Sequence, residues 1–320
     1  MLNSHTQLLN ETYQNNSLNL YSLLNFKDIL KPLILHSTIQ SICEIGIEKS
    51  HLTTWLASLS HVKNFNYTGI DPAIDSIPEF RGESKLFKEN SLTYLNRPAA
   101  DHDLFLIDGD HNYYTVYHEL QSIFSKKNPK QSICFLHDVL PPCGNRDAYY
   151  NPSNIPPNFL HPLTSTKSLN SNFEVCDYGY KSCGEFSWAI ESGNQKNGVS
   201  AAIKYFLANY KKELDLHYFT IPLFYGLGIL YSKKLINPSI QKFLLKKNIY
   251  RLLANKNLFQ HIETNRIKLY FNLITEQEMK NAKIKEIESI KSSSQVYMFG
   301  FLFTLFLKKT YSYILKKKKL

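Results

Sequence analysis

The chain has 320 residues, 43% of them hydrophobic and 20% charged. This excludes a disordered polyelectrolyte and allows one large domain with an appendage, or two small domains. The formal net charge of +10 is unevenly placed: Lys233 to Leu320 holds 17 Lys and 2 Arg against 5 Glu, a net of +14, while the rest nets −4. A mildly acidic body argues against a nucleic-acid partner and leaves the tail as the place for an anionic one.

Five cysteines, Cys43, Cys134, Cys143, Cys176 and Cys183, stand at irregular spacings with no CxxC pair. That pattern argues against structural zinc and for reduced thiols in a cytoplasmic, reducing setting. The first residues, MLNSHTQLLNETYQNN, are polar and lack the apolar core of a signal peptide. The longest apolar run, Val296 to Leu307, has 12 residues, against the roughly 20 needed to span a bilayer.

In chain order, residues 1–16 are polar, and 18–35 carry leucines at helical spacing with a break or kink expected at Pro32. SICEIG (41–46) predicts a buried strand and Ser50 to Ser60 a helix. NYTGID (66–71) predicts a second strand and KLFKEN (85–90) a weaker third. DLFLID (103–108) predicts a fourth, with a helix near 113–126, and SICFLHD (132–138) a fifth. Apolar strands alternating with helices predict a parallel sheet covered on both faces. Residues 139–200, rich in Pro, Asn, Ser, Gly and Tyr, read as a long loop insertion of the kind that often forms a substrate lid. A helix near 198–212 precedes two close strands, 214–222 and 224–232, which predict a hairpin and so an antiparallel edge. Residues 233–290 read as helices, with the polar stretch 276–294 projecting outward.

The strong strands end in polar signatures. Gly46 would let a ligand approach the backbone at the end of the first strand, and Asp71, at the end of the second, could accept both ribose hydroxyls of a nucleoside. A glycine after a strand is also an ordinary turn residue. IDGDHNYY (107–114) offers Asp108, Asp110 and His111, and the fifth strand ends in His137 and Asp138. Oxygen ligands from two adjacent strand ends can hold a hard dication such as magnesium, and a histidine beside them can take a proton from a hydroxyl. For Asp110 a helix-capping role is the better reading.

These elements, in this order, resemble the class I S-adenosylmethionine (SAM)-dependent methyltransferases, within them the metal-dependent sugar O-methyltransferase and cephalosporin-hydroxylase-like group. The resemblance covers roughly residues 38–232 and rests on EIG (44–46), GIDP, the Asn90–Ser91 turn, IDGDHNY and FLHD. HDVLPPCGNRDAYYNPSNIP (137–156), GNQKNGVSAAIKYF (193–206) and YGLGIL resemble a bacterial subgroup. The resemblance implies an α/β, Rossmann-like methyltransferase fold: a mostly parallel seven-stranded sheet with an antiparallel edge hairpin. The expected organisation is an N-terminal helical segment over 1–37, the methyltransferase domain over 38–232 and a basic helical extension over 233–320.

The resemblance also implies roles. Glu44 and Gly46 would line the methionine end of SAM, Asp71 would bind its ribose and Ser91 would lie near its adenine. Asp108, counted with the cofactor residues too, would join His137 and Asp138 as metal ligands for Mg2+, and His111 would be the general base. Two departures stand out: Ser50 replaces a second glycine, and His137 replaces a frequent Glu, a change that suits magnesium less well. Arg146, Asp147, Tyr149 and Tyr150 would either face the acceptor or anchor the loop. No Asn-Pro-Pro-Tyr-type motif for a flipped base is present. The acceptor would be a sugar or glycan-like hydroxyl. A lipid-linked or small secondary-metabolite acceptor and a catalytically impaired binding protein stay open as alternatives. For residues 296–320, a short apolar helix with flanking lysines, peripheral attachment to the inner face of an anionic membrane stands beside docking on the body or a partner.

Overall fold

The computed structural model describes residues 22–47, 51–98, 100–124, 132–181, 187–234, 236, 238–244 and 255–317, with backbone alone over 292–317. The chain forms two compact units, Met1–Lys167 with Lys181–Lys268, and Ser168–Tyr180 with Leu269–Leu320.

The first unit is built on a seven-stranded sheet. Its strands are β1 (Ser41–Ile45), β2 (Asn66–Ile70), β3 (Ser84–Phe87), β4 (Leu104–Ile107), β5 (Ile133–Leu136), β11 (Leu216–Ile221) and β12 (Leu227–Ser232). They lie in the order β11-β12-β5-β4-β1-β2-β3. All neighbours pair parallel except β12, which runs antiparallel to both β5 and β11. This is the Rossmann-like methyltransferase fold, with the expected hairpin at the edge. The order reverses between β1 and β4, and in such sheets ligands bind at that point, beyond the carboxyl ends of the strands.

The apolar runs form strands because both faces are covered. Ile42, Leu104, Leu106, Ile133 and Phe135 join a core with Trp55, Leu56 and Leu59 of helix α2 (His51–Ser60) and Leu30, Leu33 and Ile34 of helix α1 (Lys27–His36). The alternate residues Cys43, Phe105 and Cys134 are equally buried on the opposite face. There helix α4 (Tyr113–Phe124), which follows the short helix α3 (Ser91–Leu95), packs with α5 (Val199–Leu214). Cys43, Cys134, Cys143 and Cys176 form no disulfide with one another, and Cys183 lies outside the described residues.

Helix α1 runs through Pro32, where the sequence predicted a break. A proline inside a helix costs about 3 kcal/mol. Leu30, Leu33 and Ile34 are fully buried, and burial of each stabilises by about 1.5–3 kcal/mol, so packing overrides the local preference.

The insertion carries more order than its composition suggested. Strands β6 (Ala148–Tyr149), β10 (Ser187–Ala189) and β7 (Leu163–Thr164) form a small antiparallel sheet. In the second unit, β8 (Ser168–Leu169) pairs with β9 (Val175–Cys176). There Tyr180 stacks on Phe271 at 4.4 Å, Phe173 meets the same ring edge-on at 5.6 Å, and Gly179 N donates to Glu278 at 3.0 Å.

Helix α6 (Pro238–Leu244) precedes helix α7 (Lys256–Lys317), a single run of 62 residues. It takes in both the polar stretch and the apolar 12-mer of the sequence. Ile284, Ile287 and Ile290 are exposed on it. Residues 245–254 of the stretch expected to be helical fall outside the described residues. Among the described residues no helix is long and apolar enough to cross a membrane.

At the amino ends of β1 and β4, Asp103 Oδ2 accepts from Gln40 N, Ser41 N and Ser41 Oγ at 2.8, 2.9 and 3.0 Å. Hydrogen bonds to a charged group are worth about 1.5–3 kcal/mol. Asp103→Ala is expected to lower unfolding stability by about that much in urea melts, with Asp103→Asn between it and wild type.

Candidate active site

The carboxyl ends of the central strands are drawn together by one glycine. Gly46 has φ +85°, and a Cβ there would strike the Asp108 carbonyl and Gly109 Cα, the latter at 2.5 Å. Packing of β1 against β4 therefore already requires the glycine, and no ligand is needed to explain it. Asp71, at the end of β2, accepts from Ile47 N at 2.9 Å on one oxygen and from Ala73 N at 2.8 Å on the other. Ser50 lies outside the described residues.

Glu44 is 1% exposed and sits beneath this end of the sheet. Its Oε2 accepts from Tyr67 OH at 2.5 Å and Thr53 Oγ1 at 2.9 Å. Burial pushes its carboxyl up to about 8, opposed by those two hydrogen bonds. It locks β1, β2 and α2 together under the loop that follows. Ser91 opens helix α3 and faces Glu119 of α4, a second buried acid raised by desolvation to about 8. That acid was not visible as special in the sequence, where its neighbours YHELQ read as ordinary helix.

Asp108, His111, His137 and Asp138 converge at the ends of β4 and β5. His111 Nε2 lies 2.9 Å from Asp138 Oδ2 and 3.7 Å from Asp108 Oδ1. His137 Nδ1 lies 3.0 Å from Asp108 Oδ1 and 3.3 Å from Asp138 Oδ2, and its Nε2 donates to the Phe224 carbonyl at 2.8 Å. Desolvation alone would lower the His111 pKa, but the Asp138 and Asp108 carboxylates raise it to about 10. The same opposition holds for His137, which also ends well above the usual histidine range. Asp138 is driven well below the usual carboxylate range: desolvation opposes this, and His137 and His111 outweigh it.

The three residues expected to bind metal come together: one donor atom from each of Asp108, His137 and Asp138 lies within 4.8 Å of the others. Their fit to a dication can be tested on this geometry. The 3.0 and 3.3 Å separations match the edge of about 3.0 Å between adjacent ligands of an octahedral ion with bonds near 2.1 Å. His137 presents Nδ1 to the centre while its Nε2–H is fixed on a carbonyl, as ligating histidines require. The backbone around the centre is strained: Asp138, Phe224 and Tyr225 all have positive φ, at 54°, 48° and 63°. The 3-10 turn Leu23–Phe26 covers this group. Leu23 N donates to Asp108 Oδ2 at 3.3 Å, and the Phe26 ring meets His137 and Phe224 edge-on.

Asp110 stabilises the start of α4, as the sequence suggested, accepting from Thr115 Oγ1 at 3.1 Å. Asn112, which sequence reading passed over, bonds Thr115 N at 2.8 Å.

The insertion residues separate into anchors and one site-facing ring. Arg146 donates to the Ala189, Ile190 and Glu191 carbonyls. Asp147 is 1% exposed and accepts from Tyr113 N, Gly198 N and Tyr149 OH at 2.7, 2.6 and 2.8 Å. Tyr150 is 45% exposed, with its ring 6.1 Å from that of His111.

No protein-family model matches the sequence, and no curated protein matches it. Among solved structures, an SAH-bound methyltransferase from Podospora anserina is similar to this chain at 11% identity and a TM-score of 0.38, over 72% of this chain and 88% of that one. An O-methyltransferase from Streptomyces achromogenes, involved in tomaymycin synthesis and solved with SAM, is similar at 12% identity and a TM-score of 0.36, over 71% and 89%.

Asp147→Ala strands three donors in the interior, each worth about 1–3 kcal/mol, so a loss of about 3 kcal/mol or more is expected in urea unfolding. Tyr150→Ala should stay within about 0.5 kcal/mol of wild type. Equal losses from the two would erase the division between anchors and site.

Proposed function

We propose that the protein is a SAM-dependent O-methyltransferase acting on a sugar or glycan-like hydroxyl. The observation that carries this is His111, held between two carboxylates at the strand ends and beside an exposed tyrosine ring, in a fold whose ligands bind there.

The roles follow from the side chains. Asp71 would take the ribose hydroxyls at the end of β2, and Ser91 the edge of the adenine. His111 would remove the acceptor proton, and Asp138 at 2.9 Å stabilises the imidazolium that forms. The methyl group moves from sulfonium to oxygen, so alignment of the two supplies much of the rate. Asp108, His137 and Asp138 would hold a divalent cation. When bound, such an ion supplies Lewis-acid polarisation of the hydroxyl and offsets the carboxylate charge that keeps His111 protonated. The Tyr150 ring offers an amphipathic face to the acceptor, which supports a sugar. Lipid-linked and small-metabolite hydroxyls would use the same chemistry.

Calorimetry with SAM and S-adenosylhomocysteine tests the reading. Asp71→Ala is expected to weaken both by about ten- to a hundredfold, from a loss of about 1.5–3 kcal/mol. In a methyl-transfer screen over glycans, His111→Ala should lower turnover by about 10²–10⁴ with cofactor affinity intact, and chelator should abolish turnover. Binding without any turnover would leave a methyltransferase-like binding protein. No binding would remove the reading.

We also propose that the end of α7 attaches to an anionic lipid surface. The backbone is helical through the apolar run Val296 to Leu307 and on to Lys317, and six lysines occupy the final 13 positions. Lysines near such a surface contribute about 1 kcal/mol each. Full-length protein should float with phosphatidylglycerol vesicles, less with neutral ones and less in salt. Reversing Lys316, Lys317, Lys318 and Lys319 to Glu should release it. Equal flotation of the reversed protein would contradict the proposal.

A further inference from the structure

His137 is fully buried and its ring is held from behind. The carbonyl that accepts its Nε2–H belongs to Phe224, in a turn of three residues with positive φ: Phe224, Tyr225 and Gly226 at 48°, 63° and 90°. Two further contacts hold this turn. Tyr225 O accepts from Leu140 N at 2.8 Å, and Tyr225 N donates to Glu263 Oε1 at 2.9 Å. Glu263 is 2% exposed and stands on the first turns of α7, within the same compact unit. Arg266 grips both its oxygens, at 2.6 and 2.8 Å, and lies over the Tyr225 ring at 5.3 Å. A carboxylate from the C-terminal helix thus fixes a turn, the turn fixes a carbonyl, and the carbonyl fixes which imidazole nitrogen faces Asp108 and Asp138.

That nitrogen decides the class of ion. Magnesium takes oxygen ligands and keeps much of its water, whereas manganese, cobalt and zinc accept imidazole readily. Two carboxylates alone would discriminate little. Nδ1 held on the centre would become a nitrogen donor once an ion displaced its proton, and that donor favours a transition metal provided the ring cannot turn away. Partners behind ligating histidines commonly tune metal affinity in this manner.

We propose that the centre of Asp108, His137 and Asp138 takes a transition-metal dication in preference to magnesium, and that Glu263 is the positioning residue that maintains this preference. The inference rests on the reading of these residues as metal ligands. It departs from the magnesium expected at the outset, and it gives the C-terminal helix a part in the site.

The test is metal binding by calorimetry on chelator-treated, full-length protein, with Mn2+ and Mg2+ titrated separately and folding checked by thermal melting. Wild type should bind Mn2+ more tightly than Mg2+ by about 100-fold or more. His137→Asp, which makes all three ligands oxygen donors, should move that ratio towards Mg2+ by at least about tenfold. Glu263→Ala should weaken Mn2+ by about 10–100-fold and Mg2+ less, and Glu263→Gln, which keeps an acceptor for Tyr225 N, should restore the ratio. Should the alanine variant not fold, Glu263→Asp withdraws the acceptor by one methylene and should move the ratio the same way. Equal affinities in wild type, or a ratio indifferent to both His137 and Glu263 substitutions, would overturn the proposal. S-adenosylhomocysteine titrated into the same samples separates the two readings: no binding defeats the methyltransferase assignment and leaves the metal comparison standing.

Discussion

Two carboxylates and two imidazoles, nearly out of reach of water, are the constraint around which the carboxyl end of this sheet is organised. Buried charges are tolerated only when paired and hydrogen-bonded, and each member here has its opposite within 3.0 Å. The neighbouring structure serves that pairing. The turn at Phe224 supplies an acceptor, the 3-10 turn at Leu23 supplies a donor and a ring, and Asp138 takes a left-handed backbone to aim its carboxylate inward. Such strain persists where surrounding contacts over-determine the geometry.

The sheet was legible because its signal is local. Five runs of strand length, alternating with helical patterns, predict a parallel sheet; four match the observed strand within two residues at each end, and KLFKEN runs three residues past the end of β3. The convergence of Asp108, His111, His137 and Asp138 was legible for a related reason: strand ends in such a sheet share one edge. Pro32 misled because a propensity of about 3 kcal/mol competes with burial, which no short window of sequence displays.

What stayed hidden depends on distant pairing. Glu263 lies 126 positions after His137 in the sequence, and nothing around ETNRI marks it as a brace for a turn at Phe224. Glu119 sits in an unremarkable helical stretch and becomes unusual only through desolvation. Arg146, Asp147 and Tyr149 shared a motif with Tyr150, and only the fold separates the three anchors from the ring that faces His111. Gly46 carries the opposite lesson. It looked like a ligand-approach residue, and the backbone of β4 is reason enough for it.

The left-handed backbone at Asp138 has an evolutionary consequence. At φ +54° the residues that sit comfortably are few, with Asn, Asp and Gly foremost. Glutamate would preserve the charge and meet a backbone that resists it. Asparagine would fit the backbone and discard the charge. It would also take from His111 and His137 the carboxylate they face at 2.9 and 3.3 Å, so the backbone would be kept at a cost in stability. A lineage that keeps both imidazoles buried has no single step away from Asp138 that preserves the backbone and the charge pairing together, so the position is bound to change in concert with its histidine partners.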